Sequence, residues 1–216
     1  MFSKLRQDFP TLNGDNPPVY LDNACMTLRP NSVIEAIRSY YEESPGCGGR
    51  SVHRYATTVS RKMMNCRKKM AELFNANESN EIIFTKNATH SLNQVAKGLS
   101  WNKGDVVLTT DREHNSNLVP WLQLEEEQGI DHRVVKSNDD NTFCLENFEN
   151  ACAEAGSNLK MVSLSHVGNL DGIATPVKEA AKIAKDFGAM VCIDGAQSTP
   201  HMKVDVQDLG IDFMAY

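Results

Sequence analysis

Between Thr175 and Asp194 the chain spells out a helix, its stop and a buried strand in quick succession. Pro176 suits a first helical position, where its missing N–H would go unbonded anyway, and Thr175 suits the cap before it. Val177, Ala180, Ala181 and Ala184 recur at helical spacing, and Gly188 stands just past the expected end. Ala189-Met190-Val191-Cys192-Ile193 then runs apolar without alternating, as a strand covered on both faces must, and it closes on Asp194. A unit of this kind commits a chain to a layered fold.

The same alternation recurs elsewhere. Glu81 to Thr85, Asp105 to Thr110, Lys160 to Ser165 and Ile211 to Tyr216 read as further strands. Helices are expected over Pro30 to Glu43, Val59 to Phe74, Thr89 to Leu99 and near Asn117 to Gln128. Val59, Met63, Cys66, Met70 and Leu73 form an apolar stripe, read as core or subunit interface. The pattern predicts an α/β domain whose mostly parallel sheet carries helices on both faces. In such sheets ligands lie beyond the carboxyl ends of the strands, where Thr89, His114, Asn169 and Asp194 all fall.

Composition narrows the classes of partner. A net charge of −6 over 216 residues, with a pI near 5.5, argues against a nucleic-acid face, which needs clustered Lys and Arg. The basic run Arg61 to Lys69 is read as a solvated helix face. Six cysteines show neither a CxxC pair nor metal-ligand spacing, so no metal is expected and several read as small core residues. The N-terminus has no apolar signal core, and no apolar run approaches membrane-spanning length. A cytoplasmic, reduced protein with no membrane partner is expected.

Individual residues suggest chemistry. Thr89 sits at an expected helix start, where free N–H groups and the positive dipole end favour an anion such as phosphate, although a plain helix cap uses the same residue. Asp194, with Gln197 three residues on, suits a pyridinium ring; an Asp at a strand end also suits a metal or a loop cap. Asn169 is either a donor to a ligand or a turn residue beside Gly168 and Gly172. No G-x-G-x-x-G or G-x-x-x-x-G-K-[ST] string follows a strand, which disfavours a nucleotide-binding domain.

In order, the chain carries Leu21-Asp22-Asn23-Ala24, Thr85-Lys86-Asn87-Ala88-Thr89-His90, Glu113-His114-Asn115-Ser116-Asn117, Ser165-His166-Val167-Gly168-Asn169, Asp194 and Gln197. Together these resemble the class V aminotransferase family of fold-type-I pyridoxal-phosphate enzymes, and within it the cysteine desulfurase and selenocysteine lyase group, from about Val19 to Tyr216. The resemblance implies a large domain over 19–216 behind an N-terminal arm of residues 1–18. It implies pyridoxal 5'-phosphate as cofactor, with Ala88, Thr89 and His90 at the phosphate turn and His114 stacked over the ring as the catalytic residue. Asn169 and Gln197 would reach the phenolic oxygen and Asp194 the ring nitrogen. A carboxylate about 4 Å from a ring N–H⁺ gains about 4 kcal/mol at an effective dielectric near 20, enough to hold the ring cationic. His90 departs from the family, where an acidic residue is usual.

Asn23, Ala24, His53 and Arg54 would lie towards the substrate. His53-Arg54 follows the Gly46-Cys47-Gly48-Gly49 loop, which departs from the pattern and leaves a structural and a functional loop both open. Cys25 is read as packing beside the cofactor pocket, and Lys203 as a surface lysine. The implied reaction takes sulfur or selenium from cysteine or selenocysteine and leaves alanine. In the family the strand matching Ile211 to Tyr216 leads into Ser-x-His-Lys, whose lysine forms the Schiff base, and then into a small C-terminal domain. The expected partners are therefore an amino-acid substrate and either a second copy of the chain or a complementing C-terminal chain. A non-catalytic or split subunit, or another class V aminotransferase activity, are the rival readings.

Overall fold

The computed structural model describes residues 2–216 and divides into two compact units, 1–69 and 70–216. In the first unit α1 (Phe2–Arg6) and a 3-10 turn (Pro10–Leu12) precede a long irregular stretch, then α2 (Asn31–Glu43). α3 (Arg54–Phe74) runs across the boundary and starts earlier than the apolar stripe implied. The loop before α3 needs its glycines: a Cβ on Gly46 would meet the backbone of Tyr55 and Ala56 at 2.7–2.8 Å. The Gly49 N–H then donates to Ser60 Oγ at 2.9 Å. Those contacts give the Gly-Cys-Gly-Gly run a structural reason within its own unit.

The second unit is the expected α/β layer. Its elements are α4 (Ala88–Gly98), β1 (Val106–Thr110), α5 (Asn115–Gln128), β2 (Asp131–Val135), α6 (Leu145–Ala155), β3 (Leu159–Ser165), α7 (Val177–Asp186), β4 (Met190–Asp194), α8 (Val206–Leu209) and β5 (Phe213–Ala215). All strand pairs are parallel, in the order β2-β1-β3-β4-β5. Ser165, Asp194 and Ala215 stand in register, so their strands end together. β1 is buried along its whole length, whereas the edge strand β2, reading Asp-His-Arg-Val-Val, is polar and largely half-buried.

Side chains alternate between two cores, as the pleat requires, apart from Leu159 at the start of β3, where the β1–β3 register shifts. Val106, Leu108, Val162, Leu164, Val191 and Ile193 face α6 and α7. Val107, Met161 and Cys192 face Leu92 and Ala96 of α4 and Trp121 and Leu124 of α5. Cys152 and Cys192 are wholly buried, and burial pushes both thiols up to about 12, so they serve as small apolar side chains.

Three expectations are corrected. Residues 82–85 are extended but form no strand of the sheet. α7 is capped by Pro176, not Thr175, whose carbonyl instead accepts from the Val177 N–H at 2.8 Å. Cys25 is exposed rather than packed. Among the described residues no helix is long and apolar enough to cross a membrane.

Candidate functional site

The carboxyl ends of β1, β3 and β4 gather most of the residues singled out from the sequence. β1 ends at Thr110, and Glu113 and the cap residue His114 then lead into α5. His114 is the N-cap: its Nδ1 accepts the Ser116 N–H at 3.1 Å, while its carbonyl accepts from Asn117 N–H at 2.8 Å. The rest of its ring is exposed. Because Nδ1 is an acceptor, a neutral His114 carries its proton on Nε2.

α4 presents its own N-terminus to the same place. Asn87 caps it by accepting the His90 N–H at 2.9 Å, and His90 Nδ1 reaches back to accept the Lys86 N–H at 3.3 Å. His90 thus reaches back to the residue before the cap and not to the cap's own N–H, so it helps fix the turn into α4 without forming a full capping box. Thr89 follows the first helical residue, Ala88, and is exposed. Its hydroxyl lies 2.6 Å from Ser116 Oγ, which lies 3.0 Å from His114 Nδ1. Two helix starts therefore meet through three side chains.

Asp194 closes β4 and is only 6% exposed. Burial raises its carboxyl above the usual carboxylate range, against the Ala196 N–H donating to Oδ1 at 3.0 Å and the nearby His114 imidazole. Gly195 then turns the chain tightly against β5, its N–H donating to the Ala215 carbonyl at 2.7 Å, and Gln197 follows half-buried. Asn169 is exposed at the tip of a small hairpin in which the Gly168 N–H donates to Ile173 O at 2.9 Å. Asp171 organises that tip: it accepts from Ile173 N–H at 3.0 Å and pairs with Arg112, two residues before His114. A Cβ at residue 168 would come within 2.5 Å of Asp171 Oδ1, so a larger residue there would displace that carboxylate.

Beneath these groups lies a carboxyl that the sequence reading passed over. Glu113 reaches the surface in part, but its oxygens are enclosed. Thr110 Oγ1 donates to Oε1 at 2.7 Å, and Asn117 Nδ2 and Ser165 Oγ each donate to Oε2 at 2.7 Å. Ser163 Oγ extends the network by donating to Asn117 Oδ1 at 2.5 Å. Burial still raises the Glu113 carboxyl, with the Asp194 charge adding to it. Glu113 ties β1, α5 and β3 together directly under His114. Its signal in the sequence was its place beside His114 in a loop between an apolar strand and a helix. His166 is also buried, with Nδ1 unpartnered, and burial lowers its pKa.

Asn23, Ala24, His53 and Arg54 belong to the first unit. Thr27 Oγ1 contacts the Asn23 carbonyl, and the Arg54 guanidinium lies 5.5 Å from the centre of the Tyr55 ring. Lys203 is exposed, as expected. Among the described residues no cluster of three His, Cys, Asp or Glu side chains is placed to hold a metal ion.

A parallel sheet with two helix starts, an imidazole and a buried carboxylate at its carboxyl end defines a recognised class. The family model for aminotransferase class-V matches residues 19–216, and the chain belongs to that family. Within it, a probable cysteine desulfurase of Methanothermobacter thermautotrophicus is 39% identical over 212 residues, covering 98% of this chain and 51% of the relative. The apo structure of a cysteine desulfurase from Thermococcus onnurineus NA1 matches with a TM-score of 0.90 at 36% identity, covering 98% of this chain and 52% of that one. A C-DES mutant with glycine covalently linked to its PLP cofactor matches with a TM-score of 0.82 at 25% identity, over 97% of this chain and 54% of that one. The chain spans about half the length of the curated relatives it matches.

Proposed function

We propose that residues 19–216 are the cofactor-binding portion of a pyridoxal-phosphate enzyme of the cysteine desulfurase type. One observation carries the reading: Asp194 is a desolvated carboxyl, raised by burial, beside an exposed imidazole and a hydroxyl-bearing helix start. A cationic ring N–H is the partner that lets such a carboxyl ionise, and a phosphate ester suits the start of α4. The donor set therefore fits pyridoxal 5'-phosphate, which when bound supplies an electron sink for a substrate carbanion.

In this role Asp194 keeps the ring nitrogen protonated. Thr89, with the first N–H groups of α4 around Ala88, holds the phosphate, while His90, whose N–H is taken by the Asn87 cap, braces that turn. His114 covers the ring face and carries a proton at Nε2, and Asn169 and Gln197 donate to the phenolic oxygen. Glu113 holds the β1–α5 junction in place for His114. Asn23, Ala24, His53 and Arg54 are assigned to the substrate side on family likeness alone.

The substrate class, cysteine or selenocysteine, rests on the named relatives. Because the chain matches about half their length, we assign turnover to these residues together with polypeptide equivalent to the other half, in a homodimer or a two-chain complex in the cytoplasm. A groove of about 640 Å³ beside the edge strand β5, lined by Phe74, Ile83, Phe213 and Tyr216 among others, supports that arrangement by leaving room for further chain. The test is release of alanine from cysteine, with the sulfur freed as sulfide by an added thiol reductant, by the 216-residue chain mixed with the C-terminal half of a relative. Turnover from the mixture, and none from either part, is expected. Cofactor binding by the mixture without any alanine would overturn the substrate assignment.

A further inference from the structure

We propose that Ser116 is a positioning residue whose hydroxyl couples Thr89 to the imidazole of His114. It stands 2.6 Å from Thr89 Oγ1 and 3.0 Å from His114 Nδ1, on the first turn of α5, and no feature of the sequence motifs marks it out. Each of the two hydroxyls has one proton to give, so the Thr89–Ser116 bond can be made in two senses. In one, Thr89 donates to Ser116, and Ser116 donates to Nδ1, which then accepts both this proton and the Ser116 backbone N–H. In the other, Ser116 donates to Thr89, whose own proton is turned outward, and Nδ1 keeps the backbone N–H alone.

An anion that takes the Thr89 hydroxyl proton selects the second arrangement. Binding at the start of α4 is thus felt at His114 Nδ1 as the loss of a donor. That the anion is a cofactor phosphate rests on the function proposed above; the coupling between the three side chains does not.

The test needs no ligand. With histidine labelled by nitrogen-15 and His114 assigned by its loss in His114→Asn, the Nδ1 resonance is compared in wild type, Thr89→Val, Ser116→Ala and the double variant, as a double-mutant cycle. Thr89→Val is expected to shift Nδ1 in the wild-type background and to leave it unmoved in Ser116→Ala. Ser116→Thr, which restores a hydroxyl, should restore the response. Both altered positions lie at the exposed helix starts, and an unchanged amide spectrum verifies the fold. A Thr89→Val shift of equal size with and without the Ser116 hydroxyl overturns the proposal, as does no shift in either background. Failure to bind pyridoxal phosphate would overturn the cofactor reading and leave this coupling standing.

Discussion

The two units handle apolar surface in opposite ways. Residues 70–216 bury almost the whole core, with Trp121, Phe148, Leu92, Leu108 and Leu164 fully enclosed. In residues 4–69 only Ser44 and Ala56 are buried, while Ile37 is 57% and Tyr41 70% exposed on one face of α2. Both regions carry helices with apolar stripes of good periodicity. Periodicity therefore marks a helix and the face that seeks cover, but not whether the same chain supplies the cover. Exposed apolar patches of this kind mark association surfaces, which fits the proposed second copy.

The largest effect should separate the units directly. Trp121→Ala should cost about 3–5 kcal/mol in urea melts, since it empties a closed site between α4, α5 and the sheet. Tyr41→Ala should cost under about 0.5 kcal/mol in dilute chain, and more only at concentrations where the chain self-associates. Equal costs in dilute solution would break the comparison.

Glu113→Ala comes next. It orphans the donors of Thr110, Asn117 and Ser165, and a loss of about 2–3 kcal/mol is expected. Glu113→Gln should retain most of the stability, because its amide oxygen can accept from Asn117 and Ser165 while its nitrogen donates to the Thr110 hydroxyl. If the Gln variant falls as far as Ala, the charge itself and not the hydrogen-bond frame holds the junction.

The pH dependence sharpens the picture of the second unit. Burial lowers the His166 pKa, so between its folded value and the unfolded value near 6.5 the unfolded chain binds more protons. Stability contributed by neutral His166 is therefore complete above that unfolded value and is lost as pH falls, at no more than about 1.4 kcal/mol per pH unit. His132 shifts in the same direction, also by burial. The raised carboxyls of Glu113 and Asp194 act oppositely, favouring the folded state as pH falls. Chemical denaturation of His166→Phe against wild type isolates one contribution, and the variant should show the shallower acid loss.

The smallest effect lies on the exposed surface of the first unit. Arg38 pairs with Glu42 at 3.3 Å and with Glu35 at 3.6 Å, with all three side chains about 60% exposed. Arg38→Ala should change stability by about 0.3 kcal/mol and lose even that in high salt.

Much of the second unit was legible because its central strands are rich in apolar and β-branched residues and its helices carry clear stops, such as Gly188. β2 was not, since an edge strand reading Asp-His-Arg-Val-Val gives neither an apolar run nor a clean alternation. α6 offered a usable signal in Phe148, Cys152 and Ala155, spaced by four and three, between loops that hid it. Residues 82–85 read as a strand because Ile82, Ile83 and Phe84 have the composition of one, but composition alone does not place a segment in a sheet. At the site, motif order placed Asp194, His114 and Thr89 at one end of the sheet. Glu113 and Ser116 each join local partners to one distant residue, Ser165 and Thr89 respectively, and only the fold brings those two into reach.

The central claim is that the carboxyl end of this sheet is built for pyridoxal phosphate, with Asp194 as its electrostatic anchor. Equilibrium binding of pyridoxal 5'-phosphate to the 216-residue chain, by calorimetry at neutral pH, tests it most directly against Asp194→Ala. Saturable binding at one site per chain, weakened at least about tenfold by Asp194→Ala, about 1.4 kcal/mol, is the predicted result. No saturable binding, or binding of equal strength without the Asp194 carboxyl, would contradict it.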